Sequence, residues 1–245
     1  MPIISTTKKI SQAVLNFMLP AQCLSCHAVV DTHGAICATC WNDINFIGLH
    51  KCYVCGLPFA FDLGPKALCR HCTEEKPKFN KAVAVCKYEN TARKLAIRLK
   101  FGDSVSLAPY LAKMMVGSGS ELIGKADIIA PIPLHFMRKI ARKYNQAALL
   151  ARQVAKISEK NYEPFLLKRV RRTKQQTKLH RRDRKSNVDG AFVVANVDVF
   201  GKTVLLVDDV MTTGSTLSAC AKALKERGAR RVYCLVFARV LLEKV

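Results

Sequence analysis

Residues 204–216 read VLLVDDVMTTGST, and this stretch decides the fold. Its first four residues form an unbroken apolar run, half of it β-branched, which predicts a parallel strand buried on both faces. Asp208 and Asp209 follow at the carboxyl end of that strand. Open α/β sheets bind ligands outside those ends, and two acceptor-only carboxylates suit vicinal hydroxyls such as those of a ribose. The sequence therefore predicts a sugar site at this strand end.

A phosphate-binding turn is predicted directly after the aspartates. Residues 212–216, TTGST, precede an amphipathic helix that we expect to begin at Leu217 and to end at Gly228. The free amides of a first helical turn attract an anion, and Gly214 lets the backbone approach it closely. A Walker loop would need Gly-Lys-Ser/Thr and a dinucleotide fingerprint would need three spaced glycines, so neither fits.

The whole stretch resembles the phosphoribosyl pyrophosphate (PRPP) signature of type I phosphoribosyltransferases. The resemblance implies that the two acidic residues bind the ribose 2- and 3-hydroxyls and that the following turn binds the 5-phosphate. Asp208 and Asp209 are the catalytic candidates. The expected PRPP-binding residues here are Asp208, Asp209, Val210, Thr212, Thr213, Gly214, Ser215 and Thr216.

Eight cysteines in the first third of the chain form four C-x-x-C pairs. They are Cys23, Cys26, Cys37, Cys40, Cys52, Cys55, Cys69 and Cys72. Two such pairs supply the four thiolates of one tetrahedral structural zinc site, so the eight predict two zinc ions. The short intervals make sequential grouping the simplest arrangement, and interleaved grouping stays open. A disulfide framework would need an oxidising compartment and fits the repeated pairs poorly.

The chain is strongly basic. It has 40 Lys and Arg against 18 Asp and Glu, a formal net charge of +22. Two zinc ions held by eight thiolates would leave about +18, which still attracts polyanions. The charge is densest over residues 168–185, where Asp183 is the only acid among ten Lys and Arg.

This basic run has three interpretations: a solvated charged segment, a mobile loop that closes over pyrophosphate, or a surface that follows a nucleic-acid backbone. Both functional interpretations can hold together. The nucleic-acid candidates are Lys168, Arg169, Arg171, Arg172, Lys174, Lys178, Arg181, Arg182 and Lys185.

Strands alternate with helices along residues 79–245, which predicts an α/β fold with a central parallel sheet and right-handed crossovers. We expect strands near residues 81–86, 127–130, 166–170, 191–195 and 231–237. Helices are expected from Asn90, from Leu107 to Val116, and up to Glu159, with a flexible loop over residues 117–124.

Several motifs together resemble the ComF family. They are the cysteine pairs, LKFGD at 99–103, PIPLH at 131–135, RKIARKYNQ at 138–146, TKQQTKLHRRDRKSNVDGAF at 173–192 and VDDVMTTGST at 207–216. The resemblance implies a type I phosphoribosyltransferase fold preceded by a double zinc ribbon, and an association with DNA uptake in naturally transformable bacteria. Where the family usually shows Arg-Gly-Phe-Asn-Gln, this chain has Lys143 and Tyr144 after Arg142.

Phosphoribosyl transfer develops a cationic ribose as magnesium pyrophosphate leaves, so the site needs anion-binding groups at both phosphate ends. Arg138, Arg142 and Arg184 are the candidates for the pyrophosphate end. Magnesium would be held mainly by the donor itself. No residue is identifiable as a base for an acceptor. Two functions are therefore carried forward: PRPP binding with single-stranded DNA and the DNA-uptake machinery as partners, or phosphoribosyl transfer to a nitrogenous acceptor.

The expected domains are residues 1–78, an N-terminal helix with the zinc ribbons, and residues 79–245, the phosphoribosyltransferase-like domain. Ile10, Val14 and Phe17 lie on one face of the expected N-terminal helix. No apolar stretch reaches the ~18 residues of a membrane span. Together with the thiol-rich ribbons, this composition predicts a cytoplasmic protein.

Overall fold

A five-stranded parallel sheet forms the centre of the computed structural model, which describes residues 20–101, 105–134, 144–170 and 190–241. The described residues contain seven strands, of which all but β4 and β5 belong to this sheet: β1 Lys81–Lys87, β2 Ile128–Pro131, β3 Asn161–Tyr162, β4 Leu167–Arg169, β5 Phe192–Val194, β6 Thr203–Met211 and β7 Arg231–Arg239. Their order in the sheet is β1-β7-β6-β2-β3, and every neighbouring pair is parallel. The predicted α/β fold with a central parallel sheet is confirmed.

Helices cover both faces of this sheet. The α-helices of the described residues are α1 Ala38–Asn42 and α2 Arg70–Glu74 in the cysteine-rich region, and α3 Asn90–Phe101, α4 Ala108–Gly124, α5 Gln146–Ser158 and α6 Ser215–Glu226 in the sheet domain. Leu205 and Val207 face the core built with α3, α4 and α5. Val204 and Leu206 point the other way, toward a core shared with α6, β4, β5 and the second cysteine group. This alternation is the two-residue period of a strand buried on both faces.

The cysteine-rich region closes the β1 edge of the sheet. Phe46 forms an antiparallel bridge with Cys86, and the Ile47 amide donates to the Val85 carbonyl at 2.9 Å. Further along β1, the Ala82 amide donates to the Val54 carbonyl at 2.7 Å. An uncovered edge strand would present unpaired backbone groups. The two parts of the chain are therefore joined by main-chain hydrogen bonds as well as by side-chain packing.

The strand that carries the two aspartates is longer than expected, and the helix after it begins earlier than expected. β6 continues through the two aspartates to Met211, because its pairing with β7 continues to Met211 opposite Arg239. α6 begins at Ser215, two residues before the expected Leu217. The connection between them is consequently a tight turn of three residues, 212–214.

The prediction of a flexible loop over residues 117–124 is wrong, because α4 runs through this segment to Gly124. The glycines suggested flexibility, whereas Gly119 allows close helix packing. A Cβ on Gly119 would lie 2.7 Å from Cδ1 of Leu235 on β7. Leu122 and Ile123 are buried and extend the apolar face of the helix to its end.

The segments expected near residues 166–170 and 191–195 are strands, but they are not part of the parallel sheet. β4 and β5 pair with each other antiparallel and pack on the α6 face. The expected N-terminal helix with Ile10, Val14 and Phe17 lies outside the described residues. Within the four described ranges, none of the helices combines the length and the apolarity that crossing a bilayer requires.

Candidate functional site

The turn between β6 and α6 depends on Gly214. Its φ is +79°, in the left-handed region that side chains disfavour. A Cβ at this position would lie 2.6 Å from Cε of Met211 and 3.7 Å from the ring of Phe79. Only glycine therefore fits this turn without displacing its neighbours.

Hydroxyl groups surround the start of α6. The hydroxyl oxygens of Thr213 and Ser215 are 2.8 Å apart, and the Ser215 amide donates to Thr213 Oγ1 at 3.4 Å. Thr212, Thr213, Ser215 and Thr216 are all half-buried. A small cavity of about 30 Å³ lies beside them, with Asp208 in its lining. Helix amides and hydroxyls around such a recess are suited to a phosphate group.

The two aspartates have different surroundings. Oδ1 of Asp208 accepts from the Asp209 amide at 2.9 Å, and Oδ1 of Asp209 accepts from the Val210 amide at 2.8 Å. Burial, followed by the neighbouring charge of Asp209, holds the pKa of Asp208 well above its usual range. Asp209 is 8% exposed and has a cation partner. Adjacent side chains in a strand point to opposite faces, which separates the environments of the pair.

That cation is Lys100, in the last turn of α3. Its Nζ lies 2.9 Å from Oδ2 of Asp209, and both side chains are mostly buried. The Lys100 carbonyl accepts from Nε2 of Gln146 at 3.3 Å. Sequence reasoning did not identify Lys100 as a site residue, although it belongs to the LKFGD motif. The motif by itself indicated a resemblance to the family, but it gave no sign that Lys100 contacts Asp209.

Three motifs that are distant in sequence meet at this edge of the sheet: LKFGD with Lys100, PIPLH with Ile132, and the Asn-Gln end of RKIARKYNQ. Asn145 caps α5 by accepting from the Ala147 amide at 3.1 Å, and its Nδ2 donates to the Ile132 carbonyl at 3.1 Å. Gln146 then reaches α3 through Lys100. The segment after β2 and the ends of α3 and β6 are thereby held together.

The other predicted site residues are only partly described. Arg138, Arg142 and Arg184 lie outside the described residues, and their role stays a prediction. The same holds for Arg171, Arg172, Lys174, Lys178, Arg181, Arg182 and Lys185. Lys168 and Arg169 lie in β4, where Lys168 is exposed and the Arg169 guanidinium lies 5.3 Å from the centre of the Phe192 ring.

The first cysteine group brings Cys23, Cys26, Cys37 and Cys40 together, with all four sulfurs within 4.8 Å of one another. The Sγ atoms of Cys26 and Cys37 are 3.7 Å apart. The Cys37 amide also donates to Sγ of Cys23 at 3.3 Å. Cys26 is exposed, so this group is open to solvent on one side.

The second group contains Cys52, Cys55, Cys69 and Cys72, all buried and again within 4.8 Å. Sγ of Cys55 and Sγ of Cys69 are 3.6 Å apart. Four sulfurs about 2.3 Å from a central zinc form a tetrahedron with edges of roughly 3.8 Å, so both groups fit a zinc ion. The grouping is the sequential one. All eleven cysteines lie in the described residues, and none forms a disulfide.

Each cysteine group is attached to the sheet domain by an arginine. Arg98 of α3 donates to the carbonyls of Leu24 and Ser25 in the first group's loop. Arg239, at the end of β7, donates to the Cys55 carbonyl at 2.7 Å. These contacts hold the cysteine-rich region against the helices and strands that carry the site.

Two family descriptions match the chain. Residues 14–73 match the double zinc ribbon domain, and residues 104–243 match the phosphoribosyl transferase domain, which spans more than half of the sequence. The expected boundary at residue 78 falls between the two matched ranges.

Whole-chain similarity extends to named bacterial proteins. The chain is 31% identical over 228 residues to "DNA utilization protein YhgH" of Salmonella typhimurium, covering 89% of this chain and 97% of that protein. It is 30% identical over 178 residues to "Competence protein F" of Haemophilus influenzae, with 70% and 78% covered. It is 26% identical over 200 residues to "Competence protein ComFC" of Bacillus subtilis, with 79% of each chain covered.

Proposed function

Because the chain belongs to the ComF family, which joins a double zinc ribbon to a phosphoribosyltransferase domain, we propose that it binds PRPP with magnesium and takes part in DNA uptake and the handling of single-stranded DNA. The observation that carries the PRPP proposal is the turn at Gly214. This turn joins the start of α6 to the strand that bears Asp208 and Asp209.

In this proposal the 5-phosphate binds the first turn of α6. The amides and hydroxyls of Thr213, Ser215 and Thr216 would donate to its oxygens. The ribose 2- and 3-hydroxyls would donate to Asp208 and Asp209. The Val210 amide, which donates to Asp209, would keep that carboxylate oriented.

Lys100 adds a positioning group to the site. Its ammonium offsets one of the two adjacent negative charges and fixes the carboxylate of Asp209. Two carboxylates in a buried strand would otherwise repel each other strongly. We assign Lys100 the role of holding Asp209 ready for a ribose hydroxyl.

The pyrophosphate end of PRPP requires further cations. Arg138, Arg142 and Arg184 are our candidates, from the segments that follow β2 and β4 in sequence. Magnesium, when bound with the donor, would neutralise its phosphate oxygens while keeping several waters. The chain's own residues would bind and orient the sugar and the 5-phosphate.

The DNA role rests on the names of the relatives and on charge. A formal charge of +22 and ten Lys and Arg within residues 168–185 favour binding to a polyanion. Lys168 is exposed on β4, at the start of this run. The two four-cysteine groups would hold zinc and suit a reducing compartment, so we place the protein in the cytoplasm, beside the DNA-uptake machinery.

A second candidate function is phosphoribosyl transfer to a nitrogenous acceptor with no direct DNA role. The observation that favours it is that both aspartates and the turn glycine are present at the end of β6, where helix amides and hydroxyls would suit a phosphate group. Production of pyrophosphate from PRPP in the presence of a panel of nucleobases and amines would separate the two functions.

Calorimetric titration of the zinc-loaded protein with Mg-PRPP tests the proposal. The wild type should bind, and Asp208→Asn with Asp209→Asn should weaken binding at least tenfold, because two hydroxyl acceptors lose their charge. Asp198→Asn is the matched control, since Asp198 lies before β6 at the opposite end of that strand, where its carboxylate accepts from the Phe200 amide. Wild-type protein that is folded, zinc-loaded and unable to bind Mg-PRPP would overturn the proposal.

A further inference from the structure

Arg239 carries a buried positive charge without an acidic partner among the described residues. The side chain is at the end of β7 and the residue is 5% exposed. Its Nη1 donates to the Cys55 carbonyl at 2.7 Å and lies 3.2 Å from Sδ of Met211, and both of these acceptors are neutral. Its Nε has no hydrogen-bond partner in the described part of the chain.

A buried charge is strongly destabilising unless another charge compensates it. Cys55 belongs to the second cysteine group, whose four sulfurs fit a zinc ion. Four thiolates around one Zn²⁺ carry a net charge of about −2. The zinc-loaded second group is therefore the counter-charge that the Arg239 guanidinium lacks.

The same guanidinium also contacts Met211, which packs against the turn of residues 212–214, the proposed phosphate-binding turn and hereafter the phosphate turn. Met211 ends β6 and pairs in register with Arg239. Its Cε lies beside Gly214, 2.6 Å from the position that a Cβ on residue 214 would take, and the Phe79 ring lies 3.7 Å from the same position. The contacts run without a gap from Cys55 through Arg239 and Met211 to Gly214.

We propose that Arg239 is a positioning residue through which the zinc-loaded second cysteine group holds the phosphate turn in its binding shape. When zinc leaves, the guanidinium loses its counter-charge and shifts toward solvent. Met211 then loses the contact that fixes its side chain against Gly214. The consequence for anion binding rests on the proposed PRPP function, whereas the coupling of zinc to the turn does not.

Hydrogen–deuterium exchange of the amides in residues 210–218 measures that coupling directly. In wild-type protein, removal of zinc with a chelator should accelerate exchange there at least fivefold. In Arg239→Met, exchange should be fast even with zinc bound, and the chelator should add less than twofold. The amides of α4, which packs in the core on the other face of the sheet from Met211, report whether the variant keeps its fold.

Arg98→Met is the matched control. Arg98 also donates to carbonyls of a cysteine loop, but it contacts the first group and lies in α3. This variant should leave exchange in residues 210–218 within twofold of wild type. If Arg239→Met does not fold, Arg239→Lys replaces it: the charge remains, the planar fork that reaches both acceptors is lost, and the turn should still exchange faster.

Two results would overturn the proposal. One is that zinc removal leaves the exchange rates of residues 210–218 in the wild type unchanged while the amides of the cysteine loops exchange faster. The other is a folded Arg239 variant whose turn responds to zinc as wild type does. Failure of the wild type to bind Mg-PRPP is a separate outcome, because it contradicts the proposed function and leaves the exchange measurement to decide the coupling.

Discussion

Nζ of Lys100 lies 2.9 Å from Oδ2 of Asp209, so a lysine at the end of one helix neutralises one member of the carboxylate pair on the central strand. The Lys100 backbone is itself held by Gln146 at the start of α5. Lys100 thereby couples α3, α5 and β6 at the proposed sugar site, and changing it tests the electrostatic arrangement of that site.

Lys100→Met should weaken Mg-PRPP binding about tenfold at pH 7, roughly 1.4 kcal/mol, because Asp209 loses the cation that orients it. The Lys100 charge also lowers the pKa of Asp208, so its removal raises that pKa further and moves the pH profile of binding upward. Lys100→Arg keeps the charge, so its affinity for Mg-PRPP should lie between those of the wild type and Lys100→Met. Calorimetry across pH 6–9 provides the check, and an unchanged profile in Lys100→Met would exclude this role.

Asp208 makes stability depend on pH. Its folded-state pKa is raised above the unfolded value, so the protonated form is favoured on folding, and this stabilisation is complete only below about pH 4. It is lost as pH rises from there through the raised folded-state pKa, by up to about 1.4 kcal/mol per pH unit.

Asp208→Asn removes this dependence. The variant should therefore gain stability relative to wild type as pH rises from 5.5 to 8, measured by urea denaturation with zinc present. Comparison at each pH cancels the effect of pH on zinc binding. A constant difference between the two proteins across this range would contradict a raised pKa for Asp208.

Gly214→Ala should destabilise the fold by about 1–2 kcal/mol, since φ is +79° and the new Cβ meets Met211. It should also weaken Mg-PRPP binding, because the turn cannot keep its shape. Gly117→Ala is the control: it lies in α4 with no atom within 4 Å of the added Cβ, and should stabilise the protein by roughly 0.5–1 kcal/mol. Equal effects of the two substitutions would contradict this account of the turn.

Zinc should be present at two ions per chain and should leave in two phases. Cys26 in the first group is exposed, whereas all four cysteines of the second group are buried in a core shared with α6. A chromogenic chelator should therefore remove one equivalent quickly and the second slowly, with loss of folding accompanying the second phase. Release of both ions in one fast phase would contradict the difference in burial.

Affinity for single-stranded DNA should fall steeply with salt. Replacing Arg171, Arg172, Arg181 and Arg182 with glutamine should reduce the slope of log K against log salt by about 3, given about 0.7 per neutralised phosphate on single strands. A control with the same charge change, at the exposed Lys66, Lys113, Lys156 and Lys202, should change the slope much less. Fluorescence anisotropy from 50 to 300 mM salt makes the comparison, and equal slopes would remove residues 168–185 from the DNA surface.

Local patterns in the sequence predicted the strand, the turn and the cysteine groups that make up the candidate site. The apolar run before Asp208, the glycine at 214 and the cysteine spacings each have a short-range physical reason. Lys100 and Arg239 were not predicted, because their partners Asp209 and Cys55 lie more than a hundred positions away in the chain. The helix over residues 117–124 was missed because Gly119 is explained by a contact distant in sequence: a side chain at this position would collide with Leu235 of β7.

The most direct test of the central claim is a crystal structure of the zinc-loaded protein with Mg-PRPP at saturating concentration. We expect the 5-phosphate on the amides of residues 213–216 and the ribose hydroxyls within hydrogen-bond distance of Asp208 and Asp209. PRPP bound elsewhere on the protein, or an empty turn at a concentration that saturates binding in solution, would contradict it.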